Sequence, residues 1–369
     1  MKPAVFHIVC LSCVLFFCSP LLAAESIAKA PYISALTIHA ATGDVLFEDN
    51  ADAPVYPASV LKLMDLYIVL TRIEEGKLSL GDMVQVTPEA ARMGGSQVYL
   101  DPKEQFSVEE LLYALMVQSA NDAATALAIH IAGSEPAFID LMNATAKQLG
   151  MNSTTFHTEH GLPPGKGQEP DVTTARDMAI LCRELVKRPE ALKYTSTTTR
   201  GFRNDTFTMR NHNHLLGKPP GIDGLKTGYF QRAGFSIATT AQKDGQRLIT
   251  LVMGSADRKE RDAKALELMG TGFAQLPAAP ATAQTVPAGQ TDPATVAGAS
   301  LAPAAAPANG QEASGGDDAQ QSNNAGSSSG WGTFFLGLGV GLLAFIAIIL
   351  VAGRFLQRRK DGNQYLHRR

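Results

Sequence analysis

Gly234-Phe235-Ser236-Ile237-Ala238-Thr239-Thr240 and Leu248-Ile249-Thr250-Leu251-Val252-Met253 lie either side of Lys243-Asp244-Gly245-Gln246. Both segments carry strand-like alternation, and the short Asp-Gly link between them predicts a hairpin. Far upstream, Ile33–Ile38 and Val45–Glu48 alternate in the same way around Thr42-Gly43-Asp44, which predicts a second hairpin. Helical patterns dominate from Ser59 to about Lys187, and Arg258–Phe273 reads as a closing helix. Strands thus come from the two ends of the segment and helices from its middle. That order predicts an α/β protein of the α+β kind: one antiparallel sheet flanked by helices, with a helical subdomain inserted.

Outside this segment the composition changes. Residues 1–24 place Lys2 before an apolar stretch from Ala4 to Cys18 and end in Ala23-Ala24, the layout of a secretory signal peptide. Residues 25–275 then form the folded domain. Residues 276–330 hold no Lys or Arg and only four acids, Asp292, Glu312, Asp317 and Asp318, among Ala, Pro, Gly and Ser. Such a segment has nothing to bury and reads as a disordered linker. Residues 331–353 carry no charge, and at about 1.5 Å per residue they are long enough to span a bilayer core of about 30 Å. The tail, 354–369, sets Arg354, Arg358, Arg359, Lys360, Arg368 and Arg369 against Asp361 alone, which places it in the cytoplasm. The expected location is therefore the inner membrane, single-pass, with the catalytic domain in the periplasm or cell exterior.

The net charge of −3 divides into a basic tail, an acidic linker and a nearly balanced catalytic part. No basic face points to nucleic acid, and no Gly-rich loop points to nucleotide phosphates. Three of the four cysteines lie in the first 18 residues. Cys182 follows Met178-Ala179-Ile180-Leu181 and reads as a core residue. His157-x-x-His160 and His212-x-His214 lack the partners of a metal site, so no metal or cofactor is expected.

Ser59-Val60-Leu61-Lys62, Ser119-Ala120-Asn121 and Lys226-Thr227-Gly228 stand in that order along the chain. A chain of this length shows roughly one Ser-x-x-Lys and roughly one Ser-x-Asn by chance, so order and context carry the weight. Ser59 follows Pro57-Ala58 and opens the apolar run Leu61, Leu63, Met64, Leu66, Tyr67, Ile68, Leu70, which predicts a largely buried helix. A serine in a first helical turn sits where free N–H groups favour negative charge. Lys62 is three residues on, hence on the same face. A serine hydroxyl needs a base to become a nucleophile, and Lys62 is placed to be one if its proton is labile. Burial and positive charge from Lys226 both push in that direction.

From about Ile33 to Phe273 the chain resembles the D-alanyl-D-alanine carboxypeptidases of the low-molecular-mass penicillin-binding protein family. Beyond the three motifs, the likeness is carried by Gly94-Gly95-Ser96-Gln97, Gln118 to Ala124, Phe138 to Asn143, His160-Gly161-Leu162, Asn211 to Leu216 and Asp223 to Gly228. The resemblance implies a β-lactamase/transpeptidase-like fold and a peptidoglycan pentapeptide as substrate, with β-lactams as covalent inhibitors. It implies Ser59 as the acylated residue, Lys62 as base, Ser119 as proton relay and Asn121 as a donor to the substrate backbone. It further implies that Lys226 and Thr227 hold the terminal carboxylate, that Gly228 lets the strand approach the substrate, and that the N–H groups of Ser59 and Tyr229 form an oxyanion hole. Arg261 aligns with an arginine near the carboxylate; the alternative is an ordinary surface arginine. His212 stands where relatives often have arginine, and Phe230 lacks a hydroxyl that relatives often have. The β-rich second domain of usual members is replaced by the low-complexity linker.

The same residues suit a D,D-endopeptidase, which the motifs do not separate from a carboxypeptidase. A β-lactamase is disfavoured, because Ser-Ala-Asn replaces Ser-Asp-Asn and Glu169-Pro170-Asp171-Val172 is not a Glu-x-x-Leu-Asn element. A non-catalytic penicillin-binding scaffold is disfavoured by the intact Ser59, Lys62, Asn121 and Lys226.

Overall fold

The computed structural model describes residues 27–277. In chain order these form β1 (Ser34–His39), β2 (Val45–Asp49), a 3₁₀ turn (Ala58–Leu61) and α1 (Lys62–Glu74). There follow β3 (Met83–Gln85), α2 (Pro88–Ala91), β4 (Gln105–Ser107), α3 (Val108–Tyr113) and a π turn (Ala114–Gln118). The helical part continues with α4 (Asn121–Ala132), α5 (Glu135–Leu149), α6 (Ala175–Val186) and α7 (Pro189–Thr195). The chain then makes β5 (Thr199–Phe202), β6 (Phe207–Arg210), β7 (Ile222–Phe230), β8 (Gly234–Lys243), β9 (Gln246–Ser255) and α8 (Arg258–Gln275).

The principal sheet has the order β2-β1-β9-β8-β7, with every neighbouring pair antiparallel. The two terminal hairpins are therefore joined edge to edge through β1 and β9, in register Leu36 to Leu251. Asp244 and Gly245 both take positive φ, 50° and 77°, as a two-residue hairpin turn of matching twist requires. The alternation along β9 sorts its residues between two cores. Ile249, Leu251 and Met253 face the large core built with α1, α4 and α6. Leu248 and Val252 face a smaller core with Ile237, Ala265, Leu268 and Met269, where α8 packs on β8 and β9. Cys182 lies fully buried in the large core.

The helical middle is α4 surrounded by neighbours. Its first eight residues are all buried, so it has no polar face to give to solvent. Helices dominate Ser59–Lys187 as expected, with one small addition. Met83–Gln85 pairs with Gln105–Ser107 as a small hairpin of three-residue strands, and a further small hairpin joins β5 to β6 before the main sheet. The helix expected from Ser59 also begins differently: Ser59 lies in the 3₁₀ turn, and regular α-helix starts at Lys62. Among the described residues no helix is long and apolar enough to cross a membrane. The expected signal peptide, the linker beyond Pro277, the apolar span and the basic tail lie outside the described residues.

Leu251 is central to the sheet and fully buried, whereas Val45 on the outer strand is 46% exposed. Leu251→Ala is expected to cost about 2–5 kcal/mol. Val45→Ala is expected to change stability by about 0.5 kcal/mol or less. Urea unfolding of the two variants measures both, and equal effects would contradict this sheet order.

Candidate active site

The turn that carries Ser59 is forced by its neighbours. Ala58 takes φ 46°, a left-handed value that a residue with a Cβ holds only under constraint. Two glycines press on this turn. A Cβ on Gly161, itself at φ +73°, would lie 2.4 Å from the Ala58 carbonyl oxygen. A Cβ on Gly228 would lie 2.6 Å from the Pro57 carbonyl oxygen and 3.0 Å from the Ser59 nitrogen. Gly228 thus lets β7 close on the backbone of the Ser59 turn, rather than serving only the approach of a substrate.

Lys62, at the start of α1, is fully buried. Its Nζ donates to Ser59 Oγ at 3.2 Å, to Asn121 Oδ1 at 2.7 Å and to the His160 carbonyl oxygen. These are three neutral acceptors. An ammonium uses all three of its protons on them. A neutral amine keeps two of the bonds and turns its lone pair to the Ser59 hydroxyl, with no movement of the chain. Burial pushes Lys62 down to about 8, against the opposing charges of Asp65, Glu159, Asp171 and Asp122. Burial, with Lys62 and Arg261 adding, holds Lys226 well below the usual ammonium range.

Ser119 ends the π turn with φ 59°, and its side chain reaches the cleft. Asn121 opens α4 two residues later. Its Oδ1 takes the Lys62 proton contact and its Nδ2 donates to the Gly94 carbonyl at 2.7 Å. Asn121 thus helps to hold the lysine, and the second N–H of its amide is not used by these contacts.

On β7, Lys226 pairs with Ala238 and Gly228 with Ser236. Lys226 is 2% exposed, and its Nζ donates to the Thr227 carbonyl at 3.0 Å, so it lies behind the cleft wall. Thr227, Gly228 and Tyr229 form the wall itself, with Ser59, Ser96 and Ser119 around a cleft of about 320 Å³. The Tyr229 ring is exposed and stacks on Phe235 at 4.1 Å between centroids. Phe230 stacks on Tyr56.

The sequence profile of the D-alanyl-D-alanine carboxypeptidase family matches residues 24–257. The chain belongs to that family. It is 37% identical over 245 residues to the D-alanyl-D-alanine carboxypeptidase DacF of Bacillus subtilis, covering 66% of this chain and 62% of that one. It is 38% identical over 263 residues to DacC of Escherichia coli, covering 68% of this chain and 64% of that one. The chain thus spans somewhat less than two thirds of the length of these relatives. A penicillin-binding protein of Listeria monocytogenes, solved in its ampicillin-bound form, superposes with a TM-score of 0.60 at 32% identity, covering 66% of this chain and 97% of that one.

Within this D-alanyl-D-alanine carboxypeptidase fold, one end of the cleft is cationic. Arg258 and Arg261 both line it from the first turn of α8. Arg261 is 2% exposed, unlike an ordinary surface arginine; it donates to the Ser236 carbonyl and to Asp262. Arg258 was missed in the sequence, although its i, i+3 spacing to Arg261 puts both on one helix face. His212 and His214 also line the cleft. His212 is pushed down to about 4 by burial and by Lys226, so at neutral pH it brings no charge in place of the relatives' arginine.

The contact between β7 and the Ser59 turn generates a test. Gly228→Ala is expected to displace the Ser59 backbone and slow covalent labelling by penicillin about 10²-fold, as misplacement of a reacting group by about 1 Å does. Labelling at the wild-type rate would show that the turn does not depend on this approach.

Proposed function

We propose that the chain is a serine-type D-Ala-D-Ala carboxypeptidase that removes the terminal D-alanine of peptidoglycan stem peptides. The observation that carries this reading is the 3.2 Å contact between Ser59 Oγ and the buried Lys62 amine, in a cleft that ends in two arginines. The names of the relatives support the same activity.

In this reading, neutral Lys62 takes the Ser59 proton as Oγ attacks the carbonyl carbon of the penultimate D-alanine. The new oxyanion is stabilised by the N–H groups of Ser59 and Tyr229. Ser119 passes a proton to the leaving amine, the C–N bond breaks, and free D-alanine departs. Water then hydrolyses the Ser59 ester. Thr227, Arg261 and Arg258 hold the substrate's terminal carboxylate, whose charge also favours the ammonium form of the Lys226 behind them. A β-lactam acylates Ser59 by the same steps, but its leaving amine stays tethered, so the ester persists.

The sequence beyond the described residues supports export and anchoring. An apolar leader, a charge-free stretch at 331–353 and basic residues after it suit a catalytic domain held outside the inner membrane by a long linker.

Labelled penicillin is expected to attach to wild type and not to Ser59→Ala, and a pentapeptide product is expected to lose one D-alanine by mass. The acylation rate should rise with pH to a midpoint near 8, because the protonated Lys62 that prevails below that value has no lone pair to act as base. Attachment at another residue, or a rate independent of pH between 6 and 9, would sink the assignment.

A chain stopped after Pro277 is expected to acylate in detergent as fast as the full chain, and to leave the membrane fraction on cell disruption. A soluble full chain would refute the anchor. A folded but unreactive short chain would place catalytic residues beyond Pro277.

A further inference from the structure

Among the described residues Lys62 has no ion-pair partner within contact. Its three hydrogen-bond partners, Ser59 Oγ, Asn121 Oδ1 and the His160 carbonyl, are all neutral. A buried ammonium without a counter-charge is costly by several kcal/mol. The counter-charge must come from nearby groups that do not touch it.

Four acids act on Lys62: Asp65, Glu159, Asp171 and Asp122. Two of them are accounted for by their own hydrogen bonds. Asp122 accepts from the backbone N–H groups of Val98, Leu100 and Ala123. Asp171 accepts from the N–H groups of His157 and Thr158 and from the Thr158 hydroxyl. Both are tied into loop structure. The other two are not. Asp65 is 1% exposed, and neither of its oxygens has a hydrogen-bond partner. It lies three residues beyond Lys62 on α1, hence on the same face. Glu159 is fully buried, accepts only from the Thr125 hydroxyl through Oε1, and leaves Oε2 without a partner. It directly precedes His160, whose carbonyl holds the Lys62 amine. The remaining charged or titratable groups that act with Lys62 are His160, His212 and Lys226, whose basic forms it disfavours.

A buried carboxyl whose oxygens find no donors is disfavoured in its charged form. Asp65 fits that description, and its burial, with Glu159 and Asp171 adding, holds its carboxyl well above the usual range. Lys62 pulls the other way.

We infer that Asp65 and Glu159, both buried near Lys62 with oxygens that accept no hydrogen bond, together set how readily the lysine releases its proton. They are positioning residues for the acyl transfer and touch no substrate. The inference rests on the reading of Lys62 as the base, but its main measurement does not use catalysis.

The test is to follow the Lys62 ε-carbon by NMR in full chain labelled with ¹³C-lysine, its resonance assigned by loss in Lys62→Arg. Wild type, Asp65→Asn, Glu159→Gln and the double variant are titrated, and penicillin acylation is measured on the same samples. The double variant should lower the Lys62 midpoint by at least about one pH unit, the effect of removing one close opposite charge. Each single variant should move it by less, because the other carboxyl remains. The acylation limb should shift with the NMR midpoint. An unmoved midpoint in the double variant overturns the inference, and so does a single variant that gives the full shift. A midpoint that moves while the acylation limb stays put supports the inference and overturns Lys62 as base.

Discussion

The site depends on a lysine kept dry. Lys62 is completely buried, and its amine is met by three segments far apart in sequence: the Ser59 turn, the start of α4 and the loop at His160. Removing an ammonium from water costs on the order of several kcal/mol even after the surroundings relax. The fold offsets that cost by fixing three acceptors around the amine before any substrate arrives. Because each acceptor belongs to a different segment, the Ser59 turn, the start of α4 and the connecting loop must all be in place for the proposed base to be held. The proposed chemistry and the packing are one constraint at this point.

The same packing accounts for the strained backbone. Ala58 and Ser119 both sit at positive φ beside the cleft, and neither is glycine. Gly161 and Gly228 supply the space that lets the surrounding chain press Ala58 and Ser59 into place. Strain of this kind persists only where the neighbourhood over-determines the conformation. Here the neighbourhood is a sheet strand on one side and the His160–Gly161 loop on the other. Both also make the Lys62 site, so rigidity at the nucleophile and dryness at the base have a common origin.

What the sequence discloses follows the range of the interactions. The β8–β9 hairpin is legible because alternation and an Asp-Gly turn are local signals, and each face of β9 meets a different core. The three-residue strands β3 and β4 are too short to show a period, and their pairing joins residues about twenty apart within a stretch that otherwise reads as helix. Ser59, Lys62, Ser119 and the cleft residues of β7 are legible as motifs. The hold of Asn121 on Lys62 is not, since that contact spans 59 positions. Asp65 was visible as the one acid inside an apolar run read as buried. A charged residue in such a run has to be buried with it, and that was the available signal for the pair with Glu159.

The arrangement of charge explains why a lysine rather than a histidine can fill this position. Acids act on Lys62 from nearby, Arg261 and Arg258 line the cleft, and Lys226 lies behind its wall. In the proposed reading the cations draw in a carboxylate-ended substrate. Burial lowers the basicity of Lys62. A base is most effective when it is neutral part of the time and still holds a proton strongly once it has taken it. The acids oppose burial, and Lys62 is held at about 8. The histidines nearby have no such support. His160 and His212 are both driven down to about 4, too weakly basic to draw a proton from a serine hydroxyl. In a pocket this dry, a side chain must begin with the high intrinsic basicity of an amine to arrive at a useful one.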